Sequence, residues 1–518
     1  MNAGLLVALI GIPQCLAYAM LSGLPPMYGL VTAAVPGIIA ALLGKSRFVT
    51  VGPTNTTGLI ILTSLSPWAG DPNALLTAMA TLGFMAGLMR LVIVVSRTER
   101  IFDFVPEAVM VGFATGAAVI IGVMQLDETL GQPFEGVSNV LEEFIRLLDY
   151  SLPDVNFASF LLAFIALISV ILGKRFFPRW PIPLIVLICS MALVHFSQQS
   201  WVLSWATLGK SGLVSEGWPQ INSALPSLSM IQQLIIPSFA VAFIGSLELI
   251  VTLRNSRSQH LLASELKSQG IANIVGSFAG AFPASTSLTR SVMLEVGGAM
   301  SRWAPFIAAL VMVPILIFGA SAISAIPQPV IAGLLIAIAI SMIKPAQIKQ
   351  MLRGNHQTRM LFISTFLSTL MFDFHIAILV GTLLGIGLFL FQTSKPQIFC
   401  YELDEHNQAH PVHNKAPSRL LIQISGSLYF AAARQLPNQV NERLVEGTQQ
   451  CVIDLSHAHQ CRVAAIQALQ EIEQHCVAQG IDLKMTGAST SLQSLCSSLN
   501  TALPWSNDQL SLILQARS

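Results

Sequence analysis

Two stretches of this chain set a proline beside a row of hydroxyl side chains where a helix is due to start. The first is Val51-Gly52-Pro53-Thr54-Asn55-Thr56-Thr57. The second is Phe282-Pro283-Ala284-Ser285-Thr286-Ser287-Leu288-Thr289-Arg290-Ser291. Free N–H groups at a helix start, backed by the positive end of the helix dipole, attract anions. Arg290 adds a full positive charge to the second stretch. A third group is Glu248, inside the apolar run that contains Ile244-Gly245-Ser246-Leu247-Glu248. An ionisable residue in such a run is costly and marks an ion pathway. Burial disfavours the charged carboxylate, so its chemistry would be to take a proton and neutralise local charge as an anion loads. Thr252, one turn further on, can assist a cation site. Plainer roles stay open for each group. The hydroxyls can simply cap helices, the glycines can simply permit close packing, and Glu248 can sit in a static ion pair with Arg290 or line a wet interface.

The elements that position these groups are membrane spans. Of 518 residues, 53% are hydrophobic and 10% charged. Soluble domains carry about a quarter charged residues, so most of this chain must sit in lipid. Apolar runs fall at 4–22, 27–44, 52–66, 73–96, 105–126, 155–173, 181–197, 229–252, 269–282, 287–300, 303–320, 327–343, 359–373 and 375–393. That makes about fourteen, and the third, ninth and tenth are well short of the roughly 20 residues a full crossing needs. Pro13 beside Gln14, the break at Leu24-Pro25-Pro26, and Gly52-Pro53 all free backbone groups. Such groups survive at depth only beside protein or a water-filled cavity. Broken helices of this kind are how secondary transporters build substrate sites. The third and tenth spans lie seven apart, an odd offset that reverses topology. The two halves are therefore expected to be inverted repeats, with two half-helix N-termini facing each other at mid-membrane.

Cations set the orientation. With the N-terminus inside, the inner loops hold Lys45/Arg47, Arg97/Arg100, Lys174/Arg175/Arg179, Arg254/Arg257/Lys267, Arg302, Lys344/Lys349/Arg353/Arg359 and Lys395. The outer loops carry Arg146 and Lys210, and one of them collects Asp127, Glu128, Glu135, Glu142 and Glu143. An even span count leaves a soluble C-terminal domain in the cytoplasm. The composition changes near Ser394 and divides the chain into a transmembrane domain, 1–395, and a soluble domain, 396–518. No cleavable leader is evident, and the chain opens almost inside its first span, so a native N-terminal extension is expected ahead of it. A net charge of +1 argues against a nucleic-acid partner. Seven scattered Cys give no disulfide framework or zinc spacing. His457, His459 and Cys461, and His406, His410 and His413, likewise lack a four-ligand spacing, so no metal or cofactor is expected. Arg90 is expected to snorkel toward the inner interface. Glu107 is placed where a carboxylate suits a helix start, and Asp373 and His375 lie in a tight, solvated outer turn.

At the broken segments the chain resembles the SulP anion transporters, whose animal members include prestin. The specific pieces are IPQCLAYAMLSGLPPMYGL, GKSRFVTVGP, IGSLELIVT, SELKSQGIANIVGSFAGAFPAS and SLTRS. The resemblance implies an all-α polytopic fold of fourteen spans as seven-plus-seven inverted repeats. A core domain (spans 1–4 and 8–11) would move against a gate domain (spans 5–7 and 12–14) like an elevator, and a cytoplasmic α/β STAS domain and a homodimer through gate and STAS domains would follow. It places the central anion site on Gln14 and Tyr18 of the first span, Thr54 of the third, and Thr289 and Arg290 of the tenth, with Ser287 nearby. Gln and Tyr are neutral donors, and backbone amides with an arginine offset the ligand's charge. Thr54 stands where the animal members commonly have Phe, so their selectivity does not transfer. In similar bacterial members an acid at the position of Glu248 serves a coupled proton or sodium ion.

The soluble region supplies its own pattern. Strand periodicity marks 418–424, 451–455 and 481–485, with helices over 431–446, 463–478 and 491–499, giving a mixed sheet with helices on one face. This resembles a STAS domain. Where that family carries an Asp-Ser-Ser/Thr-Gly turn, this chain has Arg462-Val463-Ala464-Ala465, with no hydroxyl to phosphorylate, so a structural, dimer-stabilising role is expected.

The function these observations imply is secondary active transport of a small anion across a bacterial inner membrane. Sulfate is the first substrate, with bicarbonate, chloride and dicarboxylates open, and a proton is the expected coupled ion. Competing readings are an uncoupled anion channel, exchanger or voltage-responsive motor, a nucleobase permease, which Arg290 disfavours, and a signalling protein run through the STAS domain. No nucleotide loop, nucleophile–base pair or metal-hydrolase motif supports an enzyme.

Overall fold

Apolar length and the polar breaks between runs decide most of the architecture. In the computed structural model, residues 2–98, 105–131, 156–177, 180–198, 207–209, 218–221, 225–256, 258–372, 374–393, 396–404, 409–412, 417–445 and 447–505 are described. Arg100, Glu135, Glu142, Glu143, Arg146, Arg179, Lys210, Arg257, Asp373, Lys395, His406 and His413 lie outside them, as does the side chain of His375. Contacts divide the chain into two units, Met1–Gly385 and Ile386–Ser518, with the cut inside the last long apolar helix.

In the first unit the helices are α1 (Asn2–Leu21), α2 (Pro26–Leu43), α3 (Asn55–Leu65), α4 (Pro72–Val95), α5 (Glu107–Met124), α6 (Leu126–Leu130), α7 (Phe157–Phe176), α8 (Ile182–Gln198) and α9 (Leu228–Asn255). They continue as α10 (Leu262–Phe278), α11 (Leu288–Val296), α12 (Trp303–Leu310), α13 (Met312–Phe318), α14 (Ala320–Ser324), α15 (Gln328–Met342), α16 (Pro345–Arg353), α17 (His356–Met371) and α18 (Phe374–Thr393). Each apolar run of the sequence coincides with a helix, and the run at 303–320 is broken into α12 and α13. Among the described residues, seven helices are long and apolar enough to cross a membrane by length and composition alone.

The third and tenth runs are short, as expected. α3 has 11 residues and α11 has 9, about 16 Å and about 14 Å at 1.5 Å per residue, against a hydrocarbon thickness of about 30 Å. The ninth run is not short: α10 is a 17-residue helix that begins at Leu262, ahead of the expected 269. Its early turns hold Glu265, Ser268, Gln269 and Asn273, all buried, and these polar residues face protein, so an apolar scan does not see the helix start. Between α2 and α3 lies β1 (Val51–Gly52), and between α10 and α11 lies β2 (Ser285–Thr286). The two strands pair antiparallel, Val51 opposite Thr286 and Gly52 opposite Ser285.

The second unit is a five-stranded sheet in the order β4-β3-β5-β6-β7, formed by β3 (Gln397–Leu403), β4 (Ala409–Pro411), β5 (Arg419–Ser427), β6 (Gln450–His459) and β7 (Asp482–Thr486). β5, β6 and β7 run parallel, while β3 is antiparallel to β4 and β5. Helices α19 (Phe430–Asn441), α20 (Val463–Ala478) and α21 (Thr490–Ser498) complete it. Alternation along β5 sends Leu420, Ile422 and Ile424 into one core with Ile466, Leu469 and Ile472 of α20. Leu421 packs on the other face with Leu403 and Val452. The sequence pattern located β5, β6, β7 and the three helices. It missed β3 and β4, and α19 stops at Asn441 rather than 446.

Candidate functional site

The β1–β2 ladder brings the starts of α3 and α11 to one place. Pairing satisfies backbone groups that the breaks in the helices set free, which is why so short a sheet exists inside a helical unit. Cross-links hold it in register. The Ser287 N–H donates to the Thr50 carbonyl at 2.9 Å, the Thr50 N–H to Ser291 Oγ at 3.1 Å, and the Phe282 N–H to Thr32 Oγ1 at 3.0 Å. From α10, Asn273 Oδ1 accepts the Ala284 N–H at 2.7 Å and its Nδ2 donates to the Ala284 carbonyl at 3.0 Å. Gln269 Nε2 donates to Thr286 Oγ1 at 2.7 Å. Glu265 accepts the Lys45 and Ser46 N–H groups at 2.6 and 2.8 Å and so anchors the chain that leads into β1.

The two helix starts differ. Thr54 is the N-cap of α3, and its hydroxyl accepts the Thr57 N–H at 3.4 Å. Ser287 is the N-cap of α11 and makes no side-chain cap bond. The first-turn amides of α11 therefore have no side-chain cap, the condition under which a helix start can bind an anion.

Arg290 is 3% exposed, and its guanidinium donates to the Pro53 carbonyl at 2.9 Å and to Cys15 Sγ at 3.3 Å, joining α11 to α1 and to the junction of β1 and α3. Its Nε has no partner among the described residues. It makes no ion pair with Glu248 among the described residues, so the static pair considered from the sequence is absent. Gln14 and Tyr18 lie one turn apart on α1, both buried, and Gln14 Oε1 has no partner among the described residues. Tyr18 interacts electrostatically with Arg290 and Glu248. Thr289 is exposed in the first turn of α11.

Glu248 on α9 is held by hydroxyls from both broken segments. Thr56 and Ser285 donate to it, and Thr54 donates to Oε2 at 3.3 Å. Thr252 is buried one turn on, with its hydroxyl bonded to the Glu248 carbonyl at 2.7 Å rather than to the carboxylate. Sequence reasoning missed Thr56 and Ser285, although both lie inside the hydroxyl rows that drew attention.

Arg90 overturns an expectation. It does not snorkel: it is 0% exposed, with Nη1 donating to the Ala284 carbonyl at 2.9 Å and to Gln269 Oε1 at 3.4 Å. The cause is Gly245, where a Cβ would overlap Arg90 Nη2. The missing side chain leaves room for the guanidinium beside β2. Glu107 stands in the first turn of α5, exposed, as its position suggested. In the second unit His410 pairs with Asp404 at 3.1 Å. Arg462 immediately precedes α20 and makes no side-chain cap.

The chain is similar to known proteins along most of its length. The model of the sulfate permease family matches residues 1–365, and that of the STAS domain matches residues 410–501. A Bacillus subtilis protein named "Putative sulfate transporter YvdB" is 28% identical over 484 residues, covering 91% of this chain and 87% of its own length. Sulfate transporter 2.2 of Arabidopsis thaliana is 24% identical over 518 residues, covering 93% of this chain and 76% of its own. The structure of murine Slc26a9 in the inward-facing state superposes with a TM-score of 0.84 at 18% identity, covering 96% of this chain and 86% of its own. The transmembrane domain of the cyanobacterial bicarbonate transporter BicA gives 0.60 at 22% identity, covering 74% and 96%.

Proposed function

The chain belongs to the sulfate permease family and carries a STAS domain, and on that premise we propose that it is a secondary active transporter that moves a small oxyanion, sulfate first, with a proton. The observation that supports this reading is the pairing of β1 with β2, which sets two half-length helix starts together beside a buried arginine. Thr54 is engaged by Thr57 and Glu248, whereas the start of α11 is uncapped. The anion is thus drawn to the α11 end, to the amides after Ser287, with Thr289, Arg290, Gln14 and Tyr18 around it. Glu248 is the coupling group. Its three hydroxyl partners come from the segments that form the anion site, so a change of its charge is felt there directly. A sodium ion on Glu248, with Thr252 nearby, is the alternative coupling. Alternating access proceeds by movement of a core (spans 1–4 and 8–11) against a gate (spans 5–7 and 12–14), in a homodimer of the bacterial plasma membrane with the STAS domain in the cytoplasm.

Labelled sulfate uptake into proteoliposomes, with and without an inward proton gradient, tests this. Saturable, gradient-stimulated uptake is expected. Glu248→Gln should keep exchange and lose the response to the gradient, and Arg290→Ala should weaken sulfate affinity roughly tenfold or more, the scale of a lost charge-assisted contact. A gradient response that survives Glu248→Gln removes Glu248 from the coupling step. Unchanged affinity in Arg290→Ala removes Arg290 from the site.

A further inference from the structure

Arg90 has no part in the reading above, yet it is a fully buried cation beside the chain that leads into β2. Among the described residues its Nε and Nη2 have no hydrogen-bond partner, and Nη1 meets two neutral acceptors. A guanidinium stays charged at every accessible pH, and an uncompensated buried charge is strongly unfavourable. Two features indicate where compensation comes from. Gly245 on α9 opens the notch that holds Nη2, and the same notch holds Ser285 Oγ, 2.7 Å from the place a Cβ would take. Ser285 donates to Glu248, which lies three residues beyond Gly245 and so on the same face of α9.

The groups around Glu248 come from several elements. The neutral hydroxyls of Thr54, Thr56 and Ser285 bond to it from the start of α3 and from β2, α4 brings Arg90 to the Gly245 notch one turn away on α9, and Tyr18 of α1 is within electrostatic reach. Arg290 on α11 is committed to Pro53 and Cys15.

We propose that Arg90 is the fixed counter-charge of Glu248 and thereby sets which anion valence the site accepts. Two arginines and one carboxylate give a net charge of +1 when Glu248 is ionised, and +2 when it has taken a proton from the medium. The protonated state matches a doubly charged oxyanion, the ionised state a singly charged one. Arg90 acts through Glu248 without touching the anion and is a positioning residue. The proposal rests on the coupled-transport reading for its consequence, though the charge pairing can be tested apart from it.

The experiment compares the full-length protein with Arg90→Gln, Arg90→Lys, Glu248→Gln and the double variant Arg90→Gln/Glu248→Gln. Melting of the purified proteins in detergent comes first. Arg90→Gln should melt well below the wild type or fail to fold, Glu248→Gln should also melt lower, and the double variant should melt above both, because neutralising both partners removes the lone charge that each single variant leaves. Uptake against pH is the second readout. The pH at which uptake falls to half should rise by about one unit in Arg90→Gln, whose carboxylate has lost the neighbour that favours its charged form, and stay in place in Arg90→Lys. A double variant no more stable than Arg90→Gln, or a pH profile of Arg90→Gln that coincides with the wild type, overturns the proposal and leaves Arg90 as a prop for the Ala284 carbonyl. If no variant takes up sulfate at any pH, the transport reading fails while the melting comparison still decides the counter-charge.

Discussion

Replacing Asn273 by alanine should loosen the segment that carries β2 from a position with no hydrogen bond to Glu248. Asn273 is 2% exposed and bonds both backbone groups of Ala284, with a third bond to its own helix at Gln269. The Ala284 carbonyl keeps Arg90 as a donor in the variant, but the Ala284 N–H has no other partner. A buried N–H left unpaired costs about 1–3 kcal/mol, and loss of the second bond adds about 1 kcal/mol, for a total of about 2–4 kcal/mol. At about 2 °C per kcal/mol for a unit of this size, the melting temperature should fall by roughly 4–8 °C. Transport should suffer as well, since Ala284 precedes the residues of β2, and Ser285 donates to Glu248. The assay is thermal melting of purified protein, followed by sulfate concentration dependence in proteoliposomes, where a raised half-saturation constant is expected with assembly intact. A melting temperature within about 1 °C of wild type, together with unchanged affinity, would refute the reasoning and show that the Thr32 and Thr50 cross-links alone hold the segment.

Two further predictions concern the STAS domain. Gly487 has φ +73, and a Cβ there would meet Asp454 Oδ1 at 2.6 Å and also Ser456 Oγ. Gly487→Ala should therefore destabilise the domain by about 2 kcal/mol or more, seen as faster proteolysis within 396–505 of the full chain; an unchanged cleavage rate counts against it. Burial pushes the thiols of Cys451 and Cys476 up, Cys476 to about 11, with neighbouring thiols adding to the first and Glu473 to the second. A raised thiol carries little thiolate at pH 8, so peptide mass spectrometry should find both unmodified by maleimide until the protein is denatured; native-state labelling at the rate of a free thiol would contradict this.

Much of this was legible in the chain because the signals are local. Apolar length located the helices, and Gly52-Pro53 and Pro283 with their hydroxyl rows marked the two short ones. Alternation at Leu420, Ile422 and Ile424 marked a strand. One end of the sheet was harder: β3 and the edge strand β4 alternate weakly, with Phe399 and His410 exposed. Arg90 was misjudged because a lone arginine near a helix end looks the same whether it reaches water or a notch made by a glycine 155 positions away (245 − 90). Only the fold brings Gly245 to it.

The same limit applies to α10, and there it bears on mechanism. An inverted pair of half-helices needs an antiparallel ladder between them, and two residues on each side do not hold a register alone. The brace is one face of α10. Glu265 gathers the amides at Lys45 and Ser46 before β1, and one and two turns on Gln269 and Asn273 grip Thr286 and Ala284 at β2. One helix thus fixes both half-sites, so a displacement of α10 carries the starts of α3 and α11 together, and the geometry between them is preserved. In the transport reading proposed above, a site presented to either side of a membrane requires that the two half-helices travel as one body, and the polar residues that hid the start of α10 from an apolar scan are the ones that tie the two together.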